Sequence, residues 1–175
     1  MISLPSLQRP YDFIYSKDPA LKPPPEKPAQ GATDEEIDAY RKAAADYSAE
    51  LTACRDTGKW DAMILPGATP LKFVLGHVDR SAFRAIADRT SLPDSSPQHI
   101  GDAQLAVLLT RLALVDVVGT DLKIYRTPDI EWNGWVMAQQ DAIDRLDMAD
   151  IRIVNEIGAH VWLRAFDISP KASRA

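Results

Sequence analysis

The sequence predicts a mainly helical α+β fold: about four helices, a small antiparallel β element and an extended, Pro-rich N-terminal arm. Three observations carry this. Apolar residues recur at alternating spacings of three and four in several segments, the period of a helix with one buried face. Asn133 and Gly134 stand between two tryptophans, Trp132 and Trp135, and an Asn-Gly pair readily takes the positive φ that a tight hairpin turn demands. Seven of the thirteen prolines fall within residues 1–33, where they remove ladder donors and favour polyproline-like geometry.

The elements follow in order. Thr33 and Glu36 form a capping box, the hydroxyl accepting from the amide three residues on while the carboxylate returns to the cap amide. The helix they open runs from Asp34 to Thr57 and stops at Gly58. Its stripe of Ile37, Tyr40, Ala44, Tyr47, Leu51 and Cys54 either lies on the core or, because the spacing also suits a coiled coil, serves as a self-association seam. "LKFVLGHV" alternates in the manner of a strand, and Asp79 caps a helix from Arg80 to Arg89.

The most apolar helix is expected from Asp102 to Val118, with Leu105, Leu108, Leu109, Leu112 and Val115 inward and Gly119 as the stop. "DLKIYR" reads as a strand and "DIEWNGWVM" as the hairpin. Asp147 is expected to cap a last helix from Met148 to Phe166, with Val154, Ile157, Val161 and Ala165 on one stripe. The division is then an arm over residues 1–33 and a single mainly helical domain over 34–175.

Hydrophobic residues make up 46% of the chain and charged residues 26%, a mix that excludes a disordered or low-complexity class. A net charge of −5 and a pI near 5.2 provide no positive field for nucleic acid or an anionic membrane, so neither is expected as a partner. The one cysteine, Cys54, cannot form an intrachain disulfide and suits a reducing cytoplasm. The longest apolar run is broken by Thr110, Arg111 and Asp116 and is too short to span a bilayer. The first residues lack a secretion signal, so a cytoplasmic location is expected.

Asp141, Asp144, Asp147 and Asp150 recur every three residues, but a hard cation needs six or more oxygens around a turning loop, and helix capping is the simpler reading. His77, His99, His160 and Cys54 are too scattered for zinc-type spacing, and Cys54 reads as a small core residue. No phosphate cradle or hydrolase elbow is present in the glycine pattern. Trp132 and Trp135 are expected to pack across their hairpin rather than to form a stacking platform. No catalytic, cofactor-binding or metal-binding residue is therefore assigned.

Tyr11, Phe13, Ile14 and Tyr15 are too apolar for a solvated tail, so the arm is expected to dock on its own domain or on a neighbour. Tyr11, Phe13 and Tyr15 of the arm, with Tyr40 and Tyr47 of the first helix, are the candidate partner-binding residues. Deleting residues 1–30 is expected to leave a folded domain with weakened association.

The segments "DFIYSKDPAL", "TPLKFVLGHVDRSAFRAIAD" and "IVNEIGAHVWLRAFDISPKASR" resemble small bacteriophage morphogenesis proteins, tail-assembly chaperones in particular. The resemblance implies a non-enzymatic assembly or virion protein without a cofactor, binding other phage structural proteins; the seam on the first helix leaves a homo-oligomer open beside it. Its setting would be the host cytoplasm, or the virion if it is retained. The alternative is a small enzyme or ligand-binding regulator with a pocket between the helices and the Trp132/Trp135 hairpin, which would need distant groups to converge in space, for example His77 or His160 beside one of the Asp141–Asp150 carboxylates.

Overall fold

Residues 9–167 are described by the structure, a computed structural model. They form β1 (Tyr11–Ile14), α1 (Asp34–Thr57), β2 (Lys72–Leu75), α2 (Arg80–Thr90), α3 (Asp102–Ala113), β3 (Leu114–Val118), β4 (Glu131–Trp132), β5 (Trp135–Val136) and α4 (Gln140–Asp167). Among the described residues, four helices therefore accompany an antiparallel sheet in the order β1-β2-β3 and a separate β4-β5 hairpin, the mainly helical α+β class read from the sequence.

β2 is the middle strand. Phe13 pairs with Phe73, and Phe73 in turn with Val117, so the alternate residues that face inward on all three strands meet in one layer. Phe13, Phe73, Leu75 and Leu114 are wholly buried. The expected N-terminal arm thus supplies an edge strand, and the boundary at residue 33 is corrected. The reason lies between Pro10 and Pro19: the eight residues they bracket contain no proline, so every amide there can donate, and "YDFI" has the aromatic and β-branched content of a strand.

The fold continues past Pro19. Asp18 accepts from the amides of Ala20 and Leu71, Leu21 bridges Ile64, and Lys22 donates to the Met63 carbonyl. Ile14, Leu21, Cys54, Trp60 and Met63 form a second small core beneath the end of α1. The stretch from Lys22 to Thr33 then runs as an extended strap outside both cores.

Both ends of the strap are fixed on α1. The Tyr47 hydroxyl donates to the Lys22 carbonyl, and Thr33 makes the capping box with Glu36. A helix covers the span from Thr33 to Tyr47 in about 21 Å, and a polyproline segment of eleven steps reaches about 34 Å. The strap must therefore run back along α1. Pro25 and Pro28 are half-buried while Pro23 and Pro24 are exposed, and Ile37, Tyr40, Ala44, Tyr47 and Leu51 are half-buried on the helix. At its C-terminal end the stripe packs on its own chain, Tyr47 and Leu51 lying against the second small core.

α3 and α4 pack as antiparallel neighbours. Thr110 Oγ1 donates to the Ala106 carbonyl and to the Val154 carbonyl across the interface. One turn away, Gly158 lies so close to α3 that a Cβ there would sit 2.7 Å from Ala106 Cα. α4 starts earlier than expected and is broken at Asp150, whose φ of −163° and ψ of 112° are extended. Asp150 Oδ1 accepts the Arg152 amide, so the cap expected at Asp147 belongs to Asp150.

Two further expectations are corrected. The apolar helix ends at Ala113, and Leu114–Val118 leaves it directly as β3. The β-branched run "LVDVV" is better placed beside β2 than wound. A bulge opposite Val74 and Leu75 leaves Val115 unpaired and 37% exposed instead of inward. "DLKIYR" is not a strand, because a side chain replaces its ladder: Gln139 Nε2 donates to the Lys123 carbonyl, and Gln139 Oε1 accepts the Tyr125 amide. The Asn-Gly hairpin forms as read, with Asn133 and Gly134 at φ of 51° and 85°.

Phe13, Ile14, Tyr15 and Leu21 together contribute on the order of 8 kcal/mol at about 2 kcal/mol each, comparable with the whole stability of a domain. Deleting residues 1–22 should abolish the cooperative thermal transition, the reverse of the expectation for a dispensable arm; calorimetry checks it. Gly158→Ala should lower stability by about 1–3 kcal/mol through overpacking against Ala106. Ala159→Ser, on the exposed face of the same turn, should change it by less than about 0.5 kcal/mol in the same urea titration.

Candidate functional site

α3 carries more apolar surface than its contact with α4 consumes. Ala103, Val107 and Leu108 form a second face with Gln104 and Arg111, and Ile100 lies just before the helix. Opposite stand Trp132 of the hairpin and Met137 after it. Together they bound an open groove of about 440 Å³.

The hairpin wall is held by cations. Trp132 and Trp135 stack at 5.7 Å with 26° between their planes. The Arg89 guanidinium lies 5.0 Å over Trp132 and donates to Asn133 Oδ1. Trp132 is therefore engaged within the chain, not offered as a platform for a base or sugar. Below it, Arg126 donates through one terminal nitrogen to the carbonyls of Arg111, Leu112 and Leu114 and through the other to Val136. Desolvation lowers the Arg126 pKa, yet its guanidinium remains charged, facing the negative end of α3.

The groove's own polar groups are donors. Arg111 Nε donates to the Ala138 carbonyl and its NH1 to Gln140 Oε1, at the rim. Burial pulls the Arg111 pKa down while Asp144 partly restores it. Gln104 accepts the Gly101 amide through Oε1 in the helix cap, leaving its NH₂ as the groove-side function. Such a lining suits an apolar group with an acidic or carbonyl companion.

A second polar cluster latches β1 to α4. His160 Nε2 is 3.1 Å from the Tyr11 hydroxyl, and its ring is 5.0 Å from that of Phe13. Arg164 lies 3.9 Å over Tyr11 and Arg55 lies 5.5 Å over Phe13. Glu156 pairs with Arg55 and accepts from the amide and hydroxyl of Ser16. Burial, then Arg164 and Arg55, lower the His160 pKa to about 4. The imidazole is neutral near pH 7 and closed in by its own chain, so the cluster reads as a structural latch.

The residues expected to bind partners are not gathered at one surface. Phe13 and Tyr15 are buried, Tyr15 donating to Asp150 Oδ2, and Tyr11 is half-buried against His160 and Arg164. Tyr40 and Tyr47 are half-buried along α1. Of the two alternatives for these arm aromatics, Phe13 and Tyr15 take the first and dock on their own domain, where their alternation serves the sheet.

Among the described residues no hydrogen bond or ion pair joins a histidine to Asp141, Asp144, Asp147 or Asp150, and no group of His, Cys, Asp and Glu could hold a metal ion. His99 instead turns Nδ1 to the Leu92 carbonyl and Nε2 to Asp94. His77 is exposed. Cys54 is buried, which pushes its thiol pKa up. Among the described residues, no helix is long and apolar enough to cross a membrane. Sequence reasoning missed Arg111, Arg126 and Met137; the available signal was Val107, an apolar residue of α3 outside the stripe assigned to the core.

No protein-family profile, curated protein or solved structure matches the chain.

The latch carries a pH signature. His160 is depressed in the folded state below its ordinary value near 6.5, so between pH 6.5 and about 4 the unfolded chain binds a proton that the folded chain does not. Its contribution is complete above pH 6.5 and is lost as pH falls through that window. Urea midpoints should therefore drop from pH 7 to pH 4 in the parent protein, and His160→Gln should flatten that slope.

Proposed function

We propose that this protein is a non-enzymatic binding protein that works in assembly through protein–protein contacts, with the α3–hairpin groove as its docking surface. The observation that carries the reading is the groove itself. It is apolar, open along a helix face and supplied with donors at Gln104 and Arg111, the form that receives apolar side chains of a partner segment. A catalytic centre has less support: the buried histidine is locked between arginines, Asp150 is taken up by its cap and its ion pair with Arg152, and Asp147, whose pKa burial and Asp144 raise, has no histidine bonded to it. The resemblance in "TPLKFVLGHVDRSAFRAIAD" supports a phage setting, in which the partners are other virion proteins.

A second reading has its own observation. The groove opens between α3 and the Trp132 hairpin, where a ligand-binding regulator would need it, and its volume of about 440 Å³ falls within the range of small-molecule sites. Its ligand would be an apolar carboxylate.

Disrupting the gene in the genome that carries it, followed by electron microscopy and mass spectrometry of purified particles, tests the assembly reading. Absent or malformed particles are expected, with the protein present in complete ones if it is retained and missing if it is a chaperone. Normal particles and yields would refute it. Quenching of tryptophan fluorescence by decanoate, abolished by Arg111→Met, would instead support the regulator.

A further inference from the structure

Of the chain's two asparagines, Asn155 lies within α4 and is followed by Glu156, whereas Asn133 is followed by a glycine at the tip of the hairpin. Asn133 and Gly134 are both exposed. None of the backbone hydrogen bonds among the described residues uses the Gly134 amide. An amide nitrogen with neither an acceptor nor a Cβ to crowd it is free to attack the side-chain carbonyl carbon of the residue before it.

Two features of the closed hairpin oppose that attack. The φ values of 51° and 85° define a type I′ turn, whose first residue has a ψ of roughly +30°. At that angle the Gly134 nitrogen lies across the Cα–C bond from the Asn133 side chain, and the two meet only when the turn opens. The side chain is also held. Arg89 donates to Asn133 Oδ1 at 3.2 Å while its guanidinium lies 5.0 Å over Trp132, and because arginine offers no acceptor, the carboxamide must turn its oxygen toward it.

We propose that Asn133–Gly134 is a self-modification site, and that Arg89 sets its rate by pinning the reactive carboxamide in the closed turn. The proposal is independent of what the groove receives. In each opening the Gly134 nitrogen bonds to Asn133 Cγ, the bond from Cγ to Nδ2 breaks, and ammonia leaves with the proton the amide gave up. Solvent water then opens the resulting succinimide at either carbonyl, giving aspartate or isoaspartate with no oxidant or reductant. Isoaspartate lengthens the backbone within a two-residue turn that joins paired Trp132 and Trp135, so the product displaces the tryptophan wall of the groove.

The test incubates the full chain at mildly alkaline pH, folded and in urea, and quantifies aspartate and isoaspartate at position 133 by tandem mass spectrometry. The unfolded chain should react faster than the folded one. In the folded state Arg89→Met, which keeps an apolar stem and removes the donors and the cation, should react about fivefold faster than the parent, the factor expected for losing one exposed cation–π contact and its hydrogen bond. That acceleration should be confined to Asn133. Equal rates in the folded and unfolded parent overturn the proposal, and this arm does not depend on how any variant folds. An Arg89→Met chain that reacts no faster than the parent also overturns it, as does one in which Asn155 accelerates equally, since the effect is then global unfolding and not a pinned turn.

Discussion

A helix that turns into a strand with no intervening residue leaves its last carbonyls without helical donors, and Arg126 is the side chain that makes this possible. The count of acceptors at the end of α3 closes completely. The Thr110 carbonyl receives the Leu114 amide, Arg111 receives the Ala138 amide and Arg126, Leu112 receives Arg126, and Ala113 receives the Gly76 amide. Leu114, already extended, receives Arg126 as well. Three of these five carbonyls accept from one guanidinium, that of Arg111 sharing it with the Ala138 amide, and the planar fork reaches several acceptors at once, which a lysine cannot reproduce.

The rest of the molecule is arranged around that junction. Because the chain leaves α3 extended, β3 pairs with β2, and because β2 is paired on that side, β1 completes the sheet on the other. The same arginine donates to Val136, which draws the hairpin toward α3 and so sets the width of the groove between Trp132 and Val107. On the far side α4 closes against α3 at Gly158 and is tied to β1 through His160, Glu156 and Ser16. Fold and groove thus share a support, and the groove is a consequence of how α3 ends.

What could be read from the sequence was whatever depends on neighbours along the chain. The capping box at Thr33 and Glu36, the Asp79 cap, the stop at Gly58 and the Asn133-Gly134 turn are local, and all four form. What could not be read depends on distant partners. Nothing between Asp102 and Val118 announces that Gly76, Arg126 and Ala138 will collect its carbonyls, so the helical period ran on through "LVDVV". "DLKIYR" has strand composition, yet Gln139 takes its hydrogen bonds, and the density of prolines hid the strand between Pro10 and Pro19. The groove was half legible: the tryptophan hairpin marked one wall, while the second apolar face of α3 was absorbed into a single core stripe.

Native-state hydrogen exchange on an Arg126→Met variant, which keeps the apolar stem and removes the donors, addresses the junction directly. If the guanidinium holds the helix-to-strand change and the hairpin wall, the amides of Met137 and Ala138 lose protection together with those of β3, and stability falls by on the order of 3 kcal/mol. Unchanged protection at Ala138 and β3, with parental stability, would contradict a central role for Arg126 in holding the fold.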